Sequence, residues 1–148
     1  NPKVILAGRK VNDNMSSYIS KKILKTLKER PKNNQKKRVL VLGLSFKENC
    51  VDTRNSKVFD IINSLQKKNI LTHVYDPIID RSNLNKKYKA KLLNNLNKRN
   101  FYDIIILAVP HKIFIAMGIK KIKKLGRSNS KVFDLKSVFP KKETYWQI

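Results

Sequence analysis

Apolar residues along this 148-residue chain fall into runs whose spacing changes from helical to strand-like near residue 38. Over residues 15–30 they recur every three or four positions, as in an amphipathic helix, and Pro31 predicts that this helix ends just before it. Asn14 or Ser16 is expected to cap its start. The uninterrupted apolar run at residues 39–43 is typical of a strand buried on both faces of a sheet. Further strands are predicted at residues 71–75, 103–109 and 131–135.

Helical spacing at residues 56–68 and 114–125 separates these runs. Strands that alternate with helices predict the α/β class, as a doubly wound and mostly parallel sheet preceded by a helix. The Asn- and Lys-rich stretch after residue 78 is expected to contain a short helix at 92–98. The last residues, 141–148, show no partner in the pattern. Since composition shifts at the polar connector 32–37, we predict a boundary there, between residues 1–36 and 37–148.

The charge of the chain raises nucleic-acid binding as a possible function. The chain carries 34 Lys and Arg against 10 Asp and Glu, a formal net charge of +24, which is typical of nucleic-acid binders. Lys outnumbers Arg, however, and the lysines are spread along the chain together with abundant Asn and Ile, as expected of an AT-rich genome. We therefore interpret most of the charge as a solvated surface, which argues against nucleic acid. A basic nucleic-acid-binding module stays open as an alternative.

Other sequence features exclude several classes of protein. No apolar run approaches the roughly 18 residues of a membrane-spanning helix. The single cysteine, Cys50, excludes an internal disulfide framework and a four-cysteine zinc site. The chain begins with Asn1 rather than Met and lacks a signal-peptide pattern, so we expect it to begin mid-chain and to belong to a cytoplasmic protein.

Ligands of open parallel sheets bind beyond the carboxyl ends of the strands, and the loop at residues 43–54 is the first such place. It leads into a predicted helix amino terminus, where free amides favour an anion, and it contains Lys47 and Arg54. A dinucleotide site would need the pattern Gly-x-Gly-x-x-Gly. Here Gly43 is followed by Leu, Ser and Phe, so the dinucleotide fingerprint is absent.

Two further residues could take part in chemistry. Cys50 in a cationic loop could be a nucleophile, but no histidine is close to it in sequence, which favours a packed loop residue. His111 follows the strand at 103–109, where it could contact a ligand or make local hydrogen bonds in a turn. Both readings of His111 stay open.

Residues 39–60 (VLVLGLSFKENCVDTRNSKVFD) resemble the start of the C-terminal domain of the UDP-glucose/GDP-mannose dehydrogenase family. Within that family they look most like the branch that oxidises UDP-N-acetylglucosamine or UDP-N-acetylgalactosamine. Similar segments follow in the expected order: VYDP at 74–77, YDIIILAVPH at 102–111 and FDLK at 133–136. Upstream, ILAGRKVNDNM at 5–15 resembles the end of the family's central dimerisation region.

The resemblance implies a Rossmann-like UDP-binding domain at 37–148, preceded at 1–36 by the end of the dimerisation region with its linker helix. It implies an oxidoreductase that converts the C6 hydroxyl of a UDP-sugar to a carboxylate for polysaccharide precursor synthesis. Two NAD molecules and a catalytic cysteine would be used by a full-length homodimer. The substrate-binding residues it implies are Lys47, Arg54, Ser56, Lys136, Arg9 and Asn12.

Departures from the family pattern limit what this chain is expected to do alone. It contains neither the dinucleotide fingerprint nor the Gly-Gly-x-Cys-x-Pro segment of the catalytic cysteine, and Cys50 is not that nucleophile. Ser137 stands where glycine is common. We therefore expect a fragment that binds UDP, does not bind NAD and has no catalytic residue of its own. The alternatives are the nucleic-acid module and a degenerate remnant with a structural or dimerisation role.

Overall fold

A computed structural model of the chain describes residues 2–31, 35–84 and 90–148, with side chains from residue 14 onward except Asn83. These residues form one sheet in which every pairing between neighbouring strands is parallel, as predicted. Its spatial order is β3-β2-β1-β4-β5-β6. The strands are β1 (Arg38–Leu42), β2 (Leu71–Tyr75), β3 (Lys91–Leu92), β4 (Tyr102–Leu107), β5 (Gly126–Asp134) and β6 (Trp146–Gln147).

Helices cover both faces of this sheet, which confirms the doubly wound α/β class. They are α1 (Pro2–Lys28), α2 (Val58–Lys67), α3 (Lys112–Met117) and α4 (Ile119–Lys123). Alternate residues of β1 separate the two cores: Val39 and Val41 pack with α1 and α2, while Leu40 and Leu42 pack with α3 and α4. Strands buried on both faces in this way need a continuous apolar sequence, which is the pattern seen at 39–42.

Helix α1 is longer than the predicted helix, because it starts at Pro2, and Asn14 and Ser16 are therefore not its caps. Its carboxyl half packs against the sheet domain. Ile23 is fully buried in the same core as α2, and burial of such a side chain stabilises the fold by about 1.5–3 kcal/mol. After the helix ends, Arg30 Nε lies 3.2 Å from the buried Asp103 carboxylate at the start of β4.

Two predictions about the rest of the fold were wrong. Residues 92–98 form no helix: β3 occupies Lys91–Leu92 and turns follow it. Residues 141–148 do have a partner, since a 3₁₀ turn at Lys141–Glu143 leads into β6, which pairs with Phe133 and Asp134 of β5. The Trp146 ring centroid lies 5.7 Å from that of Phe133, so the single tryptophan of the chain packs in the edge strand of the sheet.

Gly118 divides the predicted helix at 114–125 into α3 and α4. Its φ of +85° lies in the left-handed region, which glycine adopts without strain, and its amide donates to the Phe114 carbonyl as the cap of α3. The strand predicted at 131–135 starts earlier, at Gly126. The remaining strand and helix predictions are confirmed to within a few residues of their ends.

Candidate functional site

The first strand ends in a close approach between two backbones. Gly43 follows β1 with a φ of +96°, and a Cβ atom placed on it would lie 2.6 Å from the Cβ of Val109. Any other residue would therefore push apart the ends of β1 and β4. The Gly43 amide donates to the Tyr75 carbonyl at 2.9 Å, which holds the end of β2 beside them. Three strand ends thus meet at one point on the carboxyl edge of the sheet.

A buried carboxylate organises the loop that starts there. Asp76, directly after β2, is 1% exposed, and its Oδ2 accepts the amides of Leu44 at 2.7 Å and Ser45 at 3.1 Å. Its Oδ1 accepts the Ile78 amide. Burial raises the pKa of Asp76, but the hydrogen bonds from His111, Leu44 and Ile78 together outweigh it, so the pKa lies below its ordinary value.

His111 connects this carboxylate to the middle of the loop. It is fully buried, its Nδ1 accepts the Asn49 amide at 2.8 Å, and its Nε2 lies 2.9 Å from Asp76 Oδ2. Because Nδ1 is an acceptor, the proton of the neutral ring is on Nε2 and is donated to Asp76. Asn49 Oδ1 in turn accepts the Lys112 amide. Both nitrogens of His111 are therefore engaged by groups from other loops, not by neighbours within its own turn, and neither is available to activate Cys50.

The loop and five other segments line a cleft of about 290 Å³ at the carboxyl edge. Lys47 from the loop, Ser56 before α2 and Lys136 after β5 all line it. Met15 of α1 adds an apolar wall. The Ser45 hydroxyl donates to the Lys47 carbonyl at 2.8 Å, so the network around Asp76 extends to the backbone of the first of these lysines.

Ser56 lies where α2 begins. Its Oγ accepts the Val58 amide at 3.3 Å, which satisfies one of the donors that a helix start leaves unpaired. Lys57, next in sequence, lines the cleft as well, and so does Glu48. A helix amino terminus and several lysines favour an anion at this place, with Glu48 as the opposing charge.

Arg54 is placed differently from the other predicted residues. It is not among the residues that line the cleft, and its side chain is 80% exposed. Its Nε and NH2 groups donate to the two oxygens of Asp52 at 3.0 and 2.9 Å. These side-chain hydrogen bonds lower the pKa of Asp52 to about 2. The side chains of Arg9 and Asn12 lie outside the part of the chain that the structure describes; only their helical backbone is within it.

Sequence reasoning missed the residues that shape the loop, Asp76 and Asn49, and the contribution of α1 to the cleft. Asp76 was recognisable as the residue after a buried strand. Apart from Ile78, however, the groups that it contacts are distant in sequence: Ser45 lies 31 residues and His111 35 residues from it. No local pattern could have shown that these groups meet.

The hydrogen bonds to Asp76 also determine whether a dinucleotide fits at the turn after β1. A dinucleotide pyrophosphate binds to free amides that follow the first strand, whereas the Leu44 and Ser45 amides here are donated to Asp76. The turn therefore does not fit NAD. Among residues with described side chains, no three His, Cys, Asp or Glu are grouped so as to hold a metal ion. None of the helices in the described ranges has the length and apolar character needed to cross a membrane.

Comparison with protein families supplies the decisive observation. Residues 40–141 match the UDP binding domain of the UDP-glucose/GDP-mannose dehydrogenase family. The chain belongs to this family. Relatives include the UDP-N-acetyl-D-glucosamine 6-dehydrogenases of Salmonella typhi, 36% identical over 97% of this chain, and of Pseudomonas aeruginosa, 40% identical over 91%. The chain spans 33% and 32% of the length of these relatives.

Solved structures agree on the fold of this dehydrogenase domain. The UDP-N-acetyl-mannosamine dehydrogenase Cap5O from S. aureus aligns over 99% of this chain and 33% of its own, with a TM-score of 0.73 and 22% identity. An NDP-N-acetyl-D-galactosaminuronic acid dehydrogenase from Methanosarcina mazei Go1 aligns over 93% and 28%, with a TM-score of 0.75 and 22% identity.

Proposed function

We propose that this chain is the UDP-sugar-binding part of a nucleotide-sugar 6-dehydrogenase, an NAD-dependent oxidoreductase that converts a UDP-N-acetylhexosamine to its uronic acid for polysaccharide precursor synthesis. The observation that carries the proposal is the convergence of Lys47, Ser56 and Lys136 on one cleft of a domain whose family binds UDP. Lys136 lies 80 residues after Ser56 in sequence, and only the fold brings it to the cleft that the other two residues line.

The diphosphate of the ligand would occupy the polar part of this cleft. Lys47 and Lys136 supply positive charge, and hydrogen bonds to charged groups contribute about 1.5–3 kcal/mol each. The apolar side chains of Ile19 and Leu135, which line the same cleft, would pack against the less polar nucleoside. Arg54 and Ser56 stay proposed ligands. Exposed ion pairs such as that of Arg54 with Asp52 are weak, so the guanidinium could exchange a carboxylate for a phosphate.

The oxidation itself would need groups outside this chain. NAD would accept the hydride from the C6 carbon when bound to the whole enzyme, and the turn after β1 does not fit it. The part played by the present residues is to bind the UDP moiety and orient the sugar at the edge of the domain. We propose that the chain alone binds the nucleotide weakly and is inactive.

Further proposals follow from family membership. Residues 1–36 would be the end of a central dimerisation region, with Arg9 and Asn12 near the substrate, and residues 37–148 the UDP-binding domain. The whole enzyme would be a cytoplasmic homodimer. The names of the relatives support UDP-N-acetylhexosamines as the substrate class.

Calorimetric titration of UDP into the chain tests the proposal. Replacing Lys47 or Lys136 by alanine should weaken binding about tenfold, since about 1.4 kcal/mol is lost with one charged contact. The matched control is Lys112→Ala, an exposed lysine outside the cleft lining, which should bind UDP like the wild type. No heat of binding in the wild type would contradict the proposal and favour the structural remnant.

A further inference from the structure

The fold separates the charges of this domain between two edges of the sheet. In the described part of the chain, more carboxylates lie at the carboxyl edge, in or after the loops that follow the strands, than at the amino edge, where Glu29, Asp103 and Glu143 lie. Examples at the carboxyl edge are Glu48, Asp52 and Asp80. The opposite, amino edge is where the strands begin and α1, α2 and α4 end, and lysines predominate there. Lysine in the last turn of a helix complements the helix dipole, so several helices that end together concentrate positive charge.

Six of these cations line two clefts of the amino edge, and we call them the amino-edge basic surface. The first cleft, of about 300 Å³, lies between the ends of α1 and α2. The second, of about 490 Å³, lies beside the start of β5. The six residues are Lys28, Lys37 and Lys68 in the first cleft and Lys123, Lys124 and Arg127 in the second.

Hydrogen bonds connect the segment after α1 to the second cleft. Arg30, two residues after Lys28, donates from its guanidinium to the carbonyls of Ser128 and Asn129, which line the second cleft. Arg127 of the second cleft donates to the Gln35 side chain at 3.4 Å. The segment that follows α1 therefore lies against the second cleft, and Lys28 and Lys37 of the first cleft flank that segment in sequence.

Carboxylates compensate part of this charge: the exposed Glu29 follows Lys28 in sequence, and two of the six cations are in ion pairs. Asp103 is fully buried and lies within 3.3 Å of both Arg30 and Arg127, so one carboxylate faces two guanidinium groups. Lys123 lies 3.2 Å from Glu143. Both Lys68 and Lys124 are exposed. A surface of this sign attracts a polymer with closely spaced negative charges.

We propose that the amino-edge basic surface binds nucleic acid through the phosphate backbone, without reading the base sequence. Lysine is a compact point charge that contacts phosphate and lacks the planar fork of donors with which arginine recognises its partners. The arginines of this edge are engaged: Arg30 and Arg127 at Asp103, and Arg38 over the ring of Phe101 at 4.1 Å.

A lipid surface fits these observations less well. Proteins that bind membranes from the side insert large apolar side chains among the lipids. Large apolar residues are exposed in the described part of this domain, for example Phe46, Ile113 and Ile148, but none of them lines either cleft. The first cleft also contains Leu24, Leu27 and Ile70, but Leu27 is buried and the other two are half-buried. Neither cleft is therefore lined by an exposed large apolar side chain that could insert among lipids.

Fluorescence anisotropy with a labelled DNA duplex of about 20 base pairs and mixed sequence tests the proposal. Non-specific binding should have a Kd of about 10⁻⁴–10⁻⁶ M near physiological salt and weaken steeply as salt rises. In a variant that combines Lys28→Gln, Lys68→Gln and Lys124→Gln, the slope of log K against log salt should become smaller in magnitude by about 3. Affinity should fall at least about tenfold.

The matched control combines Lys21→Gln, Lys91→Gln and Lys112→Gln, which removes the same charge from exposed positions outside both clefts. It should bind the duplex nearly as well as the wild type. Equal loss in both triple variants would overturn the proposal, because net charge alone would then explain binding. Saturating UDP should leave the duplex bound, since UDP is proposed to occupy the opposite edge; displacement by UDP would also overturn it.

Two other polyanions identify the class of partner. Polyglutamate of equal charge and vesicles that contain phosphatidylserine should bind more weakly than the duplex. Tighter binding of polyglutamate would indicate an acidic protein, and tighter binding of vesicles a membrane; either result contradicts the proposal. Loss of duplex binding in the amino-edge variant with unchanged UDP affinity would support the proposal of nucleic-acid binding. The UDP titration tests the proposed function separately, so failure of one proposal can be distinguished from failure of the other.

Discussion

The carboxylate of Asp76 accepts hydrogen bonds from the segment after β1 and from the histidine after β4, although Asp76 itself follows β2. One side chain thus links three strand ends and shapes the loop that carries Lys47. Buried carboxylates are tolerated only when their lone pairs are satisfied. This requirement makes the position of the loop dependent on the ionised form of Asp76.

Stability should therefore fall in acid. The pKa of Asp76 is lowered in the fold, so its contribution is complete above the ordinary aspartate pKa, about 3.9, and is lost as pH falls through the lower folded value. Asp76→Asn should reduce the free energy of unfolding by about 1–3 kcal/mol at pH 7. Urea denaturation at pH 7 and pH 3 should show that the difference from the wild type narrows in acid. A constant difference would contradict this account.

His111 should affect UDP binding without touching the ligand. His111→Gln keeps an acceptor for the Asn49 amide and a donor for Asp76, whereas His111→Phe keeps the ring shape and removes both bonds. Because ordering one loop residue costs about 1–2 kcal/mol, the Phe variant should bind UDP about tenfold more weakly. The Gln variant should stay within about threefold of the wild type. Calorimetry below the melting temperature of each variant measures this, and equal affinities for Gln and Phe would be evidence against it.

At the scale of elements, α2 ends in a Schellman motif. The Ile70 amide donates to the Leu65 carbonyl, and the Asn69 amide donates to the Gln66 carbonyl, which is the hydrogen-bond pattern of that motif. Asn69 has a φ of +59°, the left-handed conformation that a helix end of this type requires. Ile70 and Leu65 share the apolar core beneath it.

Asn69→Gly should stabilise the chain by about 0.5–1 kcal/mol, since glycine adopts this conformation without a Cβ penalty. Asn69→Ala should destabilise it by about 1 kcal/mol, because alanine lacks the tolerance of asparagine for positive φ. Chemical denaturation of the wild type and the two variants measures their order of stability. An alanine variant as stable as the glycine variant would show that the helix end relaxes to another conformation.

Elements were predictable where one local signal dominates. The strands at 39–42 and 102–107 follow from apolar runs buried on both faces, and the end of α1 follows from Pro31. The elements that were not predicted depend on tertiary contacts. Two-residue strands such as β3 and β6 have no periodicity to detect, and β6 exists because Trp146 packs on Phe133. Ser137 has a φ of +54°, a conformation that favours glycine and that a serine in the sequence does not indicate.

For the whole molecule, the sequence predicted the fold class and the loop with Lys47, but not how charges are distributed in space. Lysines that are spread along the chain are brought by the fold to the amino edge, while Lys47 and Lys136 meet at the carboxyl edge. Charge position in three dimensions depends on strand order and helix direction. Net charge therefore gave no information about which edge binds which ligand.

The central claim is that UDP binds in the cleft at the carboxyl edge. An NMR titration of the ¹⁵N-labelled chain with UDP tests it most directly, because each backbone amide reports its own surroundings. The largest shifts should come from Lys47, Ser56, Val58 and Lys136, with those of Lys68 and Lys124 at the amino edge unchanged. Shifts confined to the amino edge, or no shifts at millimolar UDP, would contradict the claim.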